Sequence, residues 1–165
     1  MRVILGLDPG LEHTGWGVIC VQGNTHTFVA AGRITTDTKA AMGERLAHLA
    51  TGLAAVIATH RPECAAVEEV YVNKNMQSSL KLAQARAISL LVPTQAGLPV
   101  HEYAARLVKQ SLVGKGNAEK TQVAHMVGVL LPLSKTQKLA ADATDALAVA
   151  LTHAHMQPMQ KAPYR

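Results

Sequence analysis

The sequence predicts an α/β fold: a mixed sheet of five strands, three antiparallel and the rest parallel, with helices on both faces. Three observations predict it. Residues 3–34 hold three strand-like stretches joined by short turns, the pattern of an antiparallel meander. From residue 39 onward, helical periodicity alternates with two short apolar runs, which suits parallel strands joined through helices. No Pro-, Gly- or Ser-rich linker divides the chain, so residues 1–155 are expected to form one domain and 156–165 a mobile, polar tail.

Taken in order, Val3 to Leu7 are all apolar or Gly, as in a strand buried on both faces, and Pro9-Gly10 stops the run just after Asp8. Residues 14–21 form the second strand, Gln22-Gly23-Asn24 a turn, and 25–34 the third strand, which carries Phe28. A helix is expected over 39–60, because Leu46, Leu49, Leu53, Val56 and Ile57 recur at spacings that give one buried stripe; Arg61-Pro62 ends it. Residues 65–70 are a short strand ending in acids, and 71–77 a polar loop. The helix over 78–92 is expected to bury Leu80, Ala83, Ala87, Leu90 and Leu91 and to leave Lys81 and Gln84 outside. After a connection over 93–99 come a brief strand at 100–103 and a short helix at 104–112 carrying Arg106 and Lys109. Gly114-Lys115-Gly116 breaks that helix, Asn117 is placed to cap the next, and Val123, Met126, Val127, Leu130 and Leu131 form its buried stripe. The last helix spans 140–155 after a loop at 132–138, with His153 and His155 expected at the surface near its C-terminal dipole.

With 48% hydrophobic and 16% charged residues over 165 positions, the chain has the composition of a folded domain. No apolar run approaches the ~20 residues of a membrane span, and the N-terminus enters strand pattern without a signal-peptide pattern. Cys20 and Cys64 sit in apolar segments without metal-ligand spacing, so free buried thiols and a cytoplasmic home are expected. A net charge of +5 favours a polyanionic partner, though weakly by itself.

Four acids occupy apolar surroundings: Asp8 after the first strand, Glu68 at the end of the fourth, and Asp142 and Asp145 in the last helix. Alone, Asp8 reads first as a cap of the turn that follows it. Glu69 points away from Glu68 by strand alternation and reads as a bystander. Asp142 and Asp145 project from neighbouring positions on one helix face. At ~4 Å such a pair repels by about 4 kcal/mol for an effective dielectric of about 20, and the helix has no Lys or Arg of its own to offset this. Either the helix dipole favours the pair, or the acids share a hard divalent cation. Carboxylates from separate elements suit a pair of ions astride a phosphodiester. Around them lie Lys74, Asn75, Lys81, Arg86, Lys109, Lys115 and Lys120, which read as a grip on flanking phosphates or as ordinary solvated faces.

Together, residues 4–10 with Thr14-Gly15, 67–71 with Lys74-Asn75, 79–86, 102–110, 118–120 and 142–148 resemble the RuvC family of Holliday-junction resolvases, in the RNase H-like superfamily. The likeness runs through residues 1–155 in the family's order. It implies an RNase H-like fold and a homodimeric endonuclease, dependent on Mg2+ (or Mn2+) with two ions per active site, that nicks four-way junction DNA symmetrically in recombination and repair. It also implies association with the RuvA–RuvB branch-migration complex and a cytoplasmic, nucleoid-associated location. By this resemblance Asp8, Glu68, Asp142 and Asp145 are the metal-binding catalytic acids. Tyr71 falls where the family carries an aromatic, usually Phe, that stacks on bases, and Lys109 and Lys120 match basic positions near the scissile phosphate. Three features depart from the family pattern: Glu69 replaces a commoner Gln, Trp16 a smaller aromatic, and the tail is short.

Two other classes fit less well. ATPases of the actin and Hsp70 type share a strand-turn with Asp and Gly but need a second related domain, for which this chain lacks the length. A junction-binding module without catalysis has no use for four acids where phosphates must lie. Within the enzyme class, an RNA-processing nuclease of the same superfamily stays open on the residues alone.

Overall fold

The computed structural model describes residues 1–69, 75–132 and 138–156. Five strands form one sheet in the order β3-β2-β1-β4-β5. β1 (Arg2–Asp8), β2 (His13–Gln22) and β3 (Thr25–Thr35) are antiparallel neighbours, while β4 (Cys64–Glu69) runs parallel to β1 and β5 (Val100–Ala104) parallel to β4. The helices are α1 (Met42–His60), α2 (Met76–Gln95), α3 (Ala105–Val113), α4 (Lys120–Leu130) and α5 (Ala141–Met156). The mixed sheet and its two helical layers follow the sequence prediction.

Both faces of β1 are buried, as its apolar run required. Ile4 faces a cluster built with α3, α4 and α5, and Leu5 and Leu7 face a second cluster built with α1 and α2. These three side chains are fully buried, each worth about 1.5–3 kcal/mol of transfer free energy. α5 is the central helix of its layer, wedged between the sheet and α3 and α4, with every residue from Ala146 to Ala154 buried. β3 is an edge strand. Its register against β2 shifts between Val18 and Ile19, leaving Val29 as a bulged, exposed residue, a device that discourages edge-to-edge pairing.

Several local expectations are corrected. α1 starts at Met42 rather than 39, because Asp37 binds the backbone N–H of Lys39 (2.9 Å) and holds the preceding residues in a turn. α2 starts earlier than 78, since the Asn75 side chain accepts from the N–H groups of Gln77 and Ser78 (3.1 and 3.2 Å). It also continues past 92 to Gln95, with Pro93 buried in its last turn. The inward face of α2 is Ala85, Ser89 and Val92; Leu80 and Leu91 are exposed. Both faces of this helix are apolar in sequence, so periodicity alone did not say which one meets the sheet. Asn117 does not cap α4: Glu119 does, in a reciprocal box with Gln122. His153 is buried rather than at the surface. Its ring lies between the Tyr103 hydroxyl (2.8 Å from Nδ1) and the Cys64 thiol (3.4 Å from Nε2). Burial, then the neighbouring His101, pushes its pKa down to about 4. Cys64 is buried as expected and Cys20 only partly so; both are free. The expected end of β4 at residue 70, the start of the polar loop and the mobile tail beyond 156 lie outside the described residues.

Candidate active site

The acids converge because of register. Side chains of β1 alternate, so Ile4, Gly6 and Asp8 share the face that meets α5. Leu7 pairs with Val67 in parallel register, which brings Asp8 beside Glu68 on the adjacent strand. On the other flank, Asp8 pairs with Gly15, and Gly15 pairs with Arg33. One row across the sheet therefore reads Arg33, Gly15, Asp8, Glu68.

α5 lies directly on this row because side chains are missing beneath it. A Cβ on Gly15 would lie 2.0 Å from the Asp142 carbonyl oxygen, one on Gly6 2.0 Å from that of Ala146, and one on Gly17 2.6 Å from the Leu147 side chain. Glycine at these positions lets the helix backbone approach the strands, and this sets the height of Asp142 and Asp145 above Asp8. Asp142 occupies the first turn of α5, where the dipole favours an acid.

Asp8, Glu68 and Asp145 line a cleft of about 100 Å³ with Lys109 and Lys120, floored by Ala105, Val108, Val123 and Ala148. Burial, reinforced by the Glu68 charge and a hydrogen bond between the two carboxyls, pushes the pKa of Asp8 up to about 8, and Asp145 and Asp142 add to the push. Burial also raises Glu68, opposed by the hydrogen bond from Asp8 and by Lys120 and Lys109. Burial and mutual repulsion thus favour a proton retained on the Asp8–Glu68 pair near neutral pH.

The charge that α5 cannot supply comes from other elements. Lys120 Nζ on α4 lies 3.1 Å from Asp145 Oδ2, and Arg33 Nη1 on β3 lies 3.7 Å from Asp142 Oδ2. The Lys120 pKa is raised, first by its hydrogen bond to Asp145. Among the described residues no three His, Cys, Asp or Glu side chains are gathered tightly enough to hold a metal ion as placed. The donor chemistry nevertheless fits a hard divalent cation: oxygen ligands only, in a partly dehydrated cleft, with Asp8 and Glu68 close enough to share a hydrogen bond.

The other sequence-predicted residues are placed as follows. Lys109 and Lys120 stand in the cleft. Lys115 is exposed between α3 and α4, Asn75 caps α2, and Lys81 is exposed on α2. The Arg86 guanidinium is ion-paired with Glu102, which ties α2 to β5. Glu69 lies on β4 beside Glu68 but does not line the cleft. Tyr71 and Lys74 lie outside the described residues. Sequence reasoning missed Arg33 and the role of Gly6, Gly15 and Gly17. A glycine on alternate positions of two neighbouring strands was the available signal for the close helix; a lone Arg on an edge strand gave none.

The model of the family described as crossover junction endodeoxyribonuclease RuvC matches residues 4–153. The chain is 60% identical over 152 residues to the protein of that name from Xanthobacter autotrophicus, covering 92% of this chain and 89% of the relative. It is 58% identical over 153 residues to that of Sphingopyxis alaskensis, covering 93% and 97%. The solved structure of Thermus thermophilus RuvC in complex with a Holliday junction substrate superposes with a TM-score of 0.87 at 34% identity, over 94% of each chain. Shared sequence along nearly the whole length, on the same RNase H-like fold, places this chain in the RuvC family of crossover junction endodeoxyribonucleases.

Proposed function

We propose that this chain is a structure-selective endonuclease that resolves four-way DNA junctions in recombination and repair, by paired, metal-dependent phosphodiester hydrolysis. The observation that carries the reading is the convergence of Asp8, Glu68 and Asp145, from β1, β4 and α5, on one cleft shared with Lys109 and Lys120, with Asp142 one turn earlier on α5 toward β3. A protein that only bound DNA would gain nothing from acids there, since each repels phosphate.

Members of this family are metal-dependent nucleases. Asp8, Glu68, Asp142 and Asp145 would hold the metal, for which we propose Mg2+, with Mn2+ an acceptable substitute, as two ions per site. A divalent cation supplies the Lewis acidity that generates a hydroxide-like nucleophile and stabilises the departing oxygen. The chain's own residues do the rest. Asp8 and Glu68, fixed by strand register, give up their shared proton to become ligands. Asp142 and Asp145 are aimed by the close seating of α5. Lys120 and Lys109 hold the scissile phosphate against the acids and offset its charge. Asn75 and Lys81 on α2 and Lys115 between α3 and α4 extend the DNA contact, joined by Lys74 and by Tyr71, which would stack on a base near the crossover.

A homodimer matches the two-fold symmetry of a four-way junction. Its support is an exposed apolar stripe on α2: Met76 (76% exposed), Leu80 (65%) and Leu91 (50%), with Ala83 and Ala87 between. A helix face of this kind pairs readily with its own copy. Association with the RuvA–RuvB complex and action at the nucleoid in the cytoplasm belong to the same reading; none of the described helices is long and apolar enough to cross a membrane.

The test is a cleavage assay on a four-way junction, a linear duplex and an RNA–DNA hybrid, with Mg2+, Mn2+ or chelator. Paired nicks in the junction alone, lost on chelation, are expected. Equal cutting of all three substrates would sink junction selectivity, and preferred cutting of the hybrid would favour an RNA-processing enzyme.

A further inference from the structure

We infer that Arg33 is a DNA-phosphate contact, gripping the strand on the Asp142 flank of the cleft, opposite the flank held by Lys109 and Lys120. The inference rests on the proposed junction cleavage for its setting, and on geometry for its content.

Arg33 is brought to the site by pairing alone. It stands across from Gly15, which stands across from Asp8, so all three point to the α5 side of the sheet. Its side chain is 45% exposed, and its contact with Asp142 is 3.7 Å, which is charge attraction and not a hydrogen bond. A guanidinium has five donors in a planar fork. Asp142 therefore orients the Arg33 fork at the mouth of the site without consuming it, and a fork of that shape matches two phosphate oxygens.

The distribution of charge gives this fork a task. The lysines of the cleft rise from α3 and α4, on the side of Asp145 and Glu68. Asp142 sits on the opposite side, over Gly15 and against β3. Near the same end of the sheet, His13 lies 3.7 Å from Glu12 and 3.1 Å from the Thr35 hydroxyl, so those groups answer one another. Among the described residues, Arg33 is the cation that stands beside Asp142 on this flank, where a phosphate passing from the acids toward β3 would lie. With it, the backbone is held by a cation on each flank and drawn across the acids between them.

The experiment measures binding of a labelled four-way junction by the full-length chain in chelator, over about 50 to 200 mM salt. The proteins are wild type, Arg33→Gln, Arg33→Lys, Asp142→Asn and the Arg33→Gln/Asp142→Asn double variant, each checked for folding by thermal melting. Loss of one phosphate contact lowers the slope of log affinity against log salt by about 0.9 for each bound protomer. We expect that drop in Arg33→Gln, a near wild-type slope in Arg33→Lys, and the same drop again when Arg33→Gln is added to Asp142→Asn. An unchanged slope in Arg33→Gln overturns the proposal, even if cleavage falls. So does a drop that vanishes in the Asp142→Asn background, because Arg33 would then act only by neutralising Asp142. If wild type shows no preference for the junction, the junction reading fails instead, and the same slopes measured on linear duplex still decide Arg33.

Discussion

Adding one methyl group at Gly15 should disable catalysis while leaving DNA binding intact. In Gly15→Ala the new Cβ would stand 2.0 Å from the Asp142 carbonyl oxygen, 2.4 Å from its carbonyl carbon and 3.0 Å from its Cβ. Ordinary carbon contacts begin near 3.4 Å, so the first turn of α5 must rise by roughly 1 Å or more, β2 must sink, or both. Neither moves freely: Gly15 is hydrogen-bonded between β1 and β3, and α5 is wedged under α3 and α4. Overpacking of this kind costs about 1–3 kcal/mol of stability. The functional loss is larger in proportion, because Asp142 rides on the displaced turn and a misplacement of about 1 Å at a reacting centre costs on the order of 100-fold in rate. The assay pairs urea unfolding with junction cleavage and junction binding. Gly43→Ala is the control: it lies in α1 with nothing within 4 Å of its new Cβ, and replacing a helical glycine there should be neutral or stabilising by up to about 1 kcal/mol. Cleavage by Gly15→Ala at near wild-type rate would show that glycine beneath α5 does not set the position of Asp142.

The remaining predictions concern charge and assembly. Asp8→Asn and Asp145→Asn should each abolish cleavage while keeping or tightening junction binding, since both remove a negative charge facing phosphate; cleavage at wild-type rate in either variant would refute the catalytic assignment. The stability of the metal-free protein should fall as pH rises from 6.5 to 8. Asp8 titrates near 8 folded and near 3.8 unfolded, so the folded chain retains a proton there that the unfolded chain has lost. The depressed His153 acts in the opposite sense, but only below about 6.5, and thus outside that window. Asp8→Asn should flatten the decline in a melting-temperature series, and added Mg2+ should raise the melting temperature more at pH 8 than at pH 6.5. Leu80→Glu on the exposed face of α2 should convert a dimer to monomer in sedimentation; a dimer that persists would place the interface elsewhere.

The layout of sheet and helices was legible because most of it is dictated locally. Alternation, turn residues and the stripe of Leu49, Leu53 and Val56 each reflect a face that must be buried, and that requirement is written in adjacent residues. The errors share one cause. α2 has two apolar faces: periodicity points Leu80 and Leu91 inward, whereas Ala85, Ser89 and Val92 meet the sheet. His153 carries a polar ring on a helix end, so dipole reasoning put it in solvent, whereas Tyr103 and Cys64 from two strands receive it in the core. In both cases the deciding neighbour is distant along the chain.

Asp8, Glu68, Asp142 and Asp145 were identifiable from sequence because a carboxylate in apolar surroundings is costly wherever it sits, and four of them demand a common explanation. Sequence alone therefore determined the fold class, the candidate acids and the family resemblance. Only the tertiary structure decided how the acids are held: Asp8 and Glu68 on one proton, Asp145 against Lys120, Asp142 against Arg33, and α5 resting on Gly6, Gly15 and Gly17. The physical reason is that ion pairs and close backbone approach depend on strand register and helix height. These arise when β1, β2, β3 and α5 pack together, and no single stretch of the chain contains them.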